Sequence, residues 1–387
     1  MTLSQTRPRF SILVAAFNVE ATIGRCLQSI VVAKNDHVVE LIILDDGSTD
    51  LTAEICAHYA HEFPWMRVIT QPNAGVSEVR NRALHEAAGE YVAFVDGDDT
   101  IEPHYFDFID GKLRETAADM LVFGHNRLQL DGAVFPRPNA QTDLGREEIA
   151  RMQLNVADHA RIYLLCCARM FRKELASGFI FDQRIKLGED TAFNIHMINQ
   201  ADSVLVCPDC LYNYFESTGS LSSGTYKEAL LESFEAHYEA RLRVHSWPDA
   251  GTADHAVLKE SIALTYVEYV LQYLLNNVRY LPLREQLSEL RRIRHSVIYL
   301  QCIPNYTVRS PHRGARFLVG SFIRERYWIT LFGLRLAGFL AMFRVFIIPS
   351  MQWRQSGTQE AHGRPEVRGE LPAPDEGAAR TQSAGSS

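Results

Sequence analysis

The sequence predicts an α/β protein built on a mostly parallel, doubly wound sheet flanked by helices, with a helical region following it. Two observations predict this. Before residue 125, short β-branched and aromatic runs alternate with longer stretches whose apolar residues recur every three or four positions. A β-α-β-α alternation of this kind implies parallel strands joined by crossover helices. In addition, the Asp- and Gly-rich stretches come after the strands, at the edge where open α/β sheets bind their ligands.

Taken in order, residues 10–17 (FSILVAAF), 39–44, 67–70, 91–95 and 119–123 are short apolar runs and read as buried strands. Helices are expected over 20–32, 51–63, 76–88 and 103–115, the last with Pro103 in its first turn. Past residue 225, helical spacing returns over 226–246, 254–277 and 282–298. There Leu258, Ile262, Tyr266 and Val270 share one face and read as a core stripe. The residues after about 355 carry little aromatic or β-branched content and are expected to be disordered.

With 387 residues, 47% of them hydrophobic, the chain can bury a core of catalytic-domain size and add further elements to it. A formal charge of -8 argues against a nucleic-acid binder, whose surface normally carries a basic surplus. The apolar run from Ile12 to Phe17 is shorter than a signal-peptide core of about 7–15 residues. The seven cysteines include one C-x-x-C, Cys207 to Cys210, with no second pair to complete a zinc site. Reduced thiols and a cytoplasmic location are expected.

Three polar loops are expected on one rim of the sheet: Phe17-Asn18, Asp45-Asp46-Gly47-Ser48, and Asp96 to Asp99. In LDDGSTD, Gly47 to Asp50 reads as a turn, with Thr49 or Asp50 capping the next helix. Asp45 and Asp46 are left as strand-end carboxylates in need of donors, a role that the N3–H of a uracil or a ribose hydroxyl would fill. In DGDD, Asp96, Asp98 and Asp99 raise one another's pKa unless a cation sits between them. A solvated acidic loop is one reading, but a hard Mn²⁺ or Mg²⁺ ion on carboxylate oxygens offsets the repulsion better. Farther on, LGEDTAF places Glu189 and Asp190 at the start of a helical pattern. They either complement the helix dipole or supply a carboxylate base.

Four stretches in order, ILVAAFNVEATIGRCLQSI, ELIILDDGSTDLT, NAGVSEVRNRALHEAAGEYVAFVDGDD and LGEDTAF, resemble the family 2 glycosyltransferases with their GT-A (Rossmann-like) fold. The resemblance covers roughly residues 10–222 and is weaker from about 125 to 165. It implies an inverting, metal-dependent transfer of one sugar from a nucleotide-diphosphate sugar, UDP being the commonest nucleotide, to a lipid-linked or polysaccharide acceptor in cell-surface glycan synthesis. It also implies site residues: Asp46 with Asp45 at the base, Phe17 as a stacking platform, Arg80 near the nucleotide, Asp96 at the ribose, and Asp98 or Asp99 with Asp96 at the metal. Asp190 becomes the general base, with Glu189 beside it at the acceptor.

The sequence departs from the family's pattern at several places. Phe215 follows Tyr214 where related bacterial enzymes carry an arginine, Ala16 stands where a small hydroxyl residue is common, and Phe17 replaces a tyrosine. The Q-x-x-R-W of processive synthases has no counterpart beyond Gln352-Trp353-Arg354, in the wrong order, which implies single addition. A catalytically inactive partner of a glycan assembly complex is the alternative reading.

The expected organisation is a tail over 1–9, the transferase domain over 10–222, a helical region over 223–325, an apolar membrane-associated segment over 326–350 and a tail over 351–387. The twelve Leu, Ile, Phe and Val residues in 327–349 favour insertion by about 0.3–0.6 kcal/mol each, and Arg335 and Arg344 oppose it by about 2.5–3.5 kcal/mol each if central. The sums nearly cancel. With Arg309, Arg313, Arg316, Arg324 and Arg326 ahead of it, attachment to the inner face of the membrane is expected over burial as a core helix.

Overall fold

In a computed structural model, the chain is described over residues 7–140, 142–145, 165–176, 178–216, 229–244, 263, 266–305 and 313–342. Strands β1 (Phe10–Ala16), β2 (Val39–Asp45), β3 (Met66–Thr70) and β4 (Tyr91–Asp96) alternate with helices α1 (Ile23–Lys34), α2 (Thr52–Glu62) and α3 (Val76–Glu86). Strands β1 and β4 are almost wholly buried, as strands covered by helices on both faces must be. The register runs β3-β2-β1-β4, all parallel, and matches the expected doubly wound half.

The other half of the sheet is mixed. After β5 (Thr100–Ile101) and α4 (Tyr105–Thr116) come β6 (Met120–Leu128), β7 (Val134–Arg137), β8 (Thr142–Gly145), β9 (Arg169–Arg172) and β10 (Ser203–Phe215). The order continues β4-β9-β6-β10-β5, with β7 on β6 and β8 on β10. Strand β9 lies antiparallel between β4 and β6, while β6 and β10 are parallel. The pairing of β10 with β6 slips between Val206 and Cys210, so the C-x-x-C stretch sits in a bulge, its cysteines free. Pro103 precedes α4 instead of entering its first turn, because Glu102 accepts from the Tyr105 N–H and closes a turn there.

Helix α5 (Glu189–Gln200) covers the aromatic centre of the core, where Phe193 packs on Phe94, Phe171 and Phe181. It adjoins α6 (Leu230–Val244), whose Ser233 hydroxyl accepts from the Lys186 N–H at 2.7 Å. A second core is built from a π-helical turn (Tyr266–Val270), α7 (Leu271–Val278), α8 (Leu283–Arg294), α9 (Val297–Cys302), α10 (Arg313–Ile323) and α11 (Tyr327–Met342). The single helix expected over 282–298 is two, because the Ser296 hydroxyl accepts from the Tyr299 N–H and caps a new start.

The described residues from 7 to 338 belong to one compact unit. The boundary expected at 325/326 therefore has no break in packing: Leu331 and Leu334 of α11 are buried with Phe322 in the second core. No helix among the described residues is long and apolar enough to cross a membrane. The start of the helix expected over 254–277, Arg309, Arg344, Gln352-Trp353-Arg354 and the tail after 351 lie outside the described residues.

Candidate active site

Three adjacent strands end together. Ala15 of β1 is in register with Asp96 of β4, and Ala16 with Asp45 of β2, which sets Phe17, Asp45 and Asp96 side by side on the carboxyl rim. Phe17 is 46% exposed, so its ring is available for stacking. Asn18, with a positive φ of 51°, binds the first loop to the second: its Oδ1 accepts from the Thr49 N–H, and its own N–H donates to the Ser48 hydroxyl. Gly47 has φ 74°, and a Cβ there would lie 3.0 Å from the Gln71 carbonyl, so only glycine fits this turn. Leu51 holds the cap position of α2 without a side-chain bond, and Asp50, one residue earlier, accepts from the Thr52 N–H instead of serving as the expected cap.

The two aspartates of LDDGSTD are both buried but differ in what they hold. Asp46 Oδ1 accepts from Gln71 and the Ala74 N–H, and its Oδ2 from the Gly75 N–H, which fixes the loop ahead of α3. Asp45 Oδ1 accepts from the Ser48 N–H, whereas its Oδ2 is buried with no partner. The oxygen still short of a donor thus belongs to Asp45, not to Asp46, the residue expected to lead at the base.

In DGDD, the Gly97 N–H donates to the Ala15 carbonyl and the Asp99 N–H to the Asp96 carbonyl, folding the loop back on β1. Asp99 accepts from the Tyr212 hydroxyl at 2.6 Å and from the Phe215 N–H at 2.9 Å, so both its oxygens face β10. Burial, and then the charge of Asp96, raises its pKa to about 8. Asp98 is also raised, by burial first and the Asp96 charge second. Among the described residues no three His, Cys, Asp or Glu side chains stand close enough together to hold a metal ion.

The fit to a divalent cation therefore rests on two carboxylates, Asp98 and Asp96. Their mutual repulsion leaves the loop short of positive charge, and such an ion takes one or two carboxylates and completes its shell with water and phosphate oxygens. Asp99, expected as a third ligand, is already committed to β10.

Arg80 of α3 joins the two halves of the site. It is buried, its guanidinium 5.8 Å from the ring centroids of Phe94 and Phe181. Its Nη1 donates to Asp190 Oδ1 at 2.5 Å and Glu189 Oε1 at 3.1 Å, and its Nη2 lies 3.5 Å from Asp96 Oδ1. Burial opposes its charge, but the carboxylates, Asp190 first, hold its pKa above the ordinary value. Asp190 Oδ2 accepts from the Cys166 N–H at 3.3 Å. Glu189 has a raised pKa, from burial first and the charge of Asp190 second, partly offset by Arg80. Gly188 precedes the pair with φ 92°, turning the chain into α5.

Every site residue expected from the sequence lies at this rim or in contact with it, but several others were not foreseen. Cys167 Sγ donates to Asp96 Oδ2 at 3.3 Å, the Tyr212 hydroxyl accepts from the Asp96 N–H at 3.2 Å, and Arg25 Nη2 donates to the Asp98 carbonyl at 2.8 Å. Arg169 is wholly buried near Asp190 and the cysteines, and burial lowers its pKa to about 10. Only an arginine inside the apolar ARMF run would have given a signal.

Comparison with known proteins bears on the family and the fold. The family model "Glycosyl transferase family 2" matches residues 11–177. The uncharacterized glycosyltransferase EpsJ of Bacillus subtilis is 30% identical over 243 residues, 62% of this chain and 70% of that protein. The minor teichoic acid biosynthesis protein GgaB of the same organism is 25% identical over 53% of this chain and 23% of its own length. The crystal structure of S. aureus TarS 1–349 in complex with UDP-GlcNAc superposes with a TM-score of 0.62 at 20% identity, covering 84% of this chain and 90% of that one, a likeness of fold. A GT-A sheet, the family model over residues 11–177 and a glycosyltransferase relative 30% identical over 70% of its length identify the chain as a member of glycosyl transferase family 2.

Proposed function

We propose that the protein is an inverting transferase that moves one sugar from a UDP-sugar to a lipid-linked or polysaccharide acceptor in cell-surface glycan synthesis. The observation that carries this reading is the bridge made by Arg80, which ties the donor rim at Asp96 to the acceptor carboxylates Glu189 and Asp190. Two chemistries must meet there, because the acceptor hydroxyl has to lose its proton as the anomeric bond to the diphosphate breaks.

On this reading the base of the nucleotide stacks on Phe17, and its N–H or a ribose hydroxyl donates to the unpartnered Oδ2 of Asp45. Asp46 shapes the loop around it. Asp96 and Asp98 would hold Mn²⁺ or Mg²⁺, and the ion would supply positive charge to the diphosphate. Asp190 accepts the proton of the acceptor hydroxyl, whose oxygen forms the new bond to the anomeric carbon from the side opposite the diphosphate. The electron pair of the broken C–O bond leaves with the diphosphate, and an α-linked donor gives a β-linked product. Arg80 keeps Asp190 in one rotamer, and Glu189 stands where it would orient the acceptor.

An apolar strip supports contact with the inner face of the membrane. Trp328 and Phe332 are 69% and 68% exposed, Phe317 and Leu336 are also exposed, and Arg324 and Arg335 lie near them in sequence. The opposite side of the same helices, with Leu331 and Leu334, is core.

Thermal shift with UDP-, GDP- and dTDP-sugars, each with Mn²⁺ or with chelator, tests the donor reading, since a ligand of the native state raises its stability. A donor that stabilises the protein only with the ion, followed by transfer to membrane-extracted acceptor with inversion, supports it. Stabilisation without transfer to any acceptor would favour the inactive partner instead, and retention of configuration would overturn the mechanism.

A further inference from the structure

After LYNY the chain carries Phe215 where the family resemblance leads one to expect an arginine, yet a guanidinium is present at that place. Arg25, in the first turn of α1, lays its guanidinium carbon 3.5 Å from the centroid of the Phe215 ring. Its Nη2 donates to the Asp98 carbonyl at 2.8 Å, and the Phe215 N–H donates to Asp99 Oδ1 at 2.9 Å. Arg25, Phe215 and the DGDD loop thus form one connected group drawn from α1, β10 and the end of β4.

Neither contact neutralises the arginine. A carbonyl and a ring face orient the guanidinium but carry no net charge, and among the described residues no carboxylate oxygen lies within 4.0 Å of its nitrogens. The case of Arg80 differs, since three carboxylates hold it. Arg25 is exposed, so its remaining donors are open to a ligand arriving from solvent. A fixed, unpaired guanidinium has a planar fork of donors suited to phosphate oxygens. Its place beside Asp98 puts it next to the carboxylates that would carry the ion on a diphosphate.

We propose that Arg25 is a diphosphate-binding residue of the donor site and that Phe215 is the platform that holds it there. The inference rests on the donor-site reading given above. It moves the missing positive charge from β10 to α1, with the ring filling the vacated position.

The test is calorimetric binding, in Mn²⁺, of UDP, GDP and dTDP and of the matching nucleosides to the wild type and to Arg25→Gln. Loss of one charge-assisted contact should weaken the diphosphate that binds the wild type by about 10- to 100-fold, with the nucleoside unchanged. Arg25→Lys should fall between, keeping charge without the flat stack. In the double variant Arg25→Gln/Phe215→Arg, affinity for the diphosphate should return. Equal losses for nucleoside and diphosphate, together with a lower melting temperature of the free variant, would show that Arg25 only clamps the loop and would overturn the inference. Unchanged diphosphate affinity would overturn it too. A wild type that binds none of the three diphosphates would instead remove the donor reading, and the inference with it.

Discussion

Two sets of carboxylates share the rim and are held by opposite means. Asp45, Asp46 and Asp99 are met by backbone N–H groups, an amide and a hydroxyl, all neutral. Glu189 and Asp190, with one oxygen of Asp96, are met by a single buried guanidinium. Neutral donors fix a carboxylate in place without cancelling its charge, so that side of the rim keeps an unmet demand for a cation. Arg80 cancels charge as it positions. On the proposed reading, the donor side is thus built to be completed from outside, whereas the acceptor side is completed within the chain.

The sharpest test of this contrast is Asp190→Asn, which keeps the shape and removes the proton acceptor. Transfer should fall by about 10²–10⁴-fold while nucleotide affinity, set on the other side, stays within about twofold. Parallel loss of both would break the division. Next comes Arg80→Met, which strands three carboxylates. Breaking a buried pair costs about 3–5 kcal/mol, and because their side chains are 15–35% exposed the lower end is expected in urea unfolding. A variant as stable as wild type would mean that the pairing is not structural.

Within the donor side, Asp46→Asn should lower stability by about 1–3 kcal/mol by mismatching three N–H donors, whereas Asp45→Asn should chiefly weaken nucleoside binding. The reverse pattern would return Asp46 to the base. A smaller effect belongs to Glu189. Its folded pKa lies above the ordinary glutamate value, so the folded state holds a proton longer, and stability present at acid pH is lost as pH rises through that folded value. In Glu189→Gln that loss should vanish, so its melting temperature relative to wild type should climb as pH rises above the ordinary glutamate value of about 4.3. A flat difference would mean that Arg80 already cancels the rise. Smallest in stability is Trp328→Ser/Phe332→Ser, expected within about 0.5 kcal/mol per exposed site yet with reduced binding to anionic vesicles. Undiminished vesicle binding would remove the membrane surface from this face.

The parallel half was legible because each strand there is a near-continuous apolar run and each crossover helix carries its own period. The second half was not. Strands β7 to β9 are four residues each, and β9 finds its place between β4 and β6 only by pairing with chain far away in sequence. Short strands pairing over long separations leave little local pattern to read. The apolar helix over 327–342 was only half legible for a related reason: hydropathy registers apolar content but not which side faces a neighbour, and Leu331 and Leu334 are core while Trp328 and Phe332 are not.

By itself the sequence determined the sheet that gathers Phe17, Asp45 and Asp96 on one edge, because strand order in a β-α-β chain follows from period and handed crossovers. It also determined which loops carry the carboxylates. The tertiary structure alone decided how each carboxylate is answered: Asp46 by its own loop, Asp99 by β10, Asp190 and Glu189 by Arg80, and Asp98 by neighbours that leave it short of charge. Those assignments depend on donors brought from up to 116 residues away, to Asp99 from Phe215, and a hydrogen bond at that separation is set by packing in three dimensions.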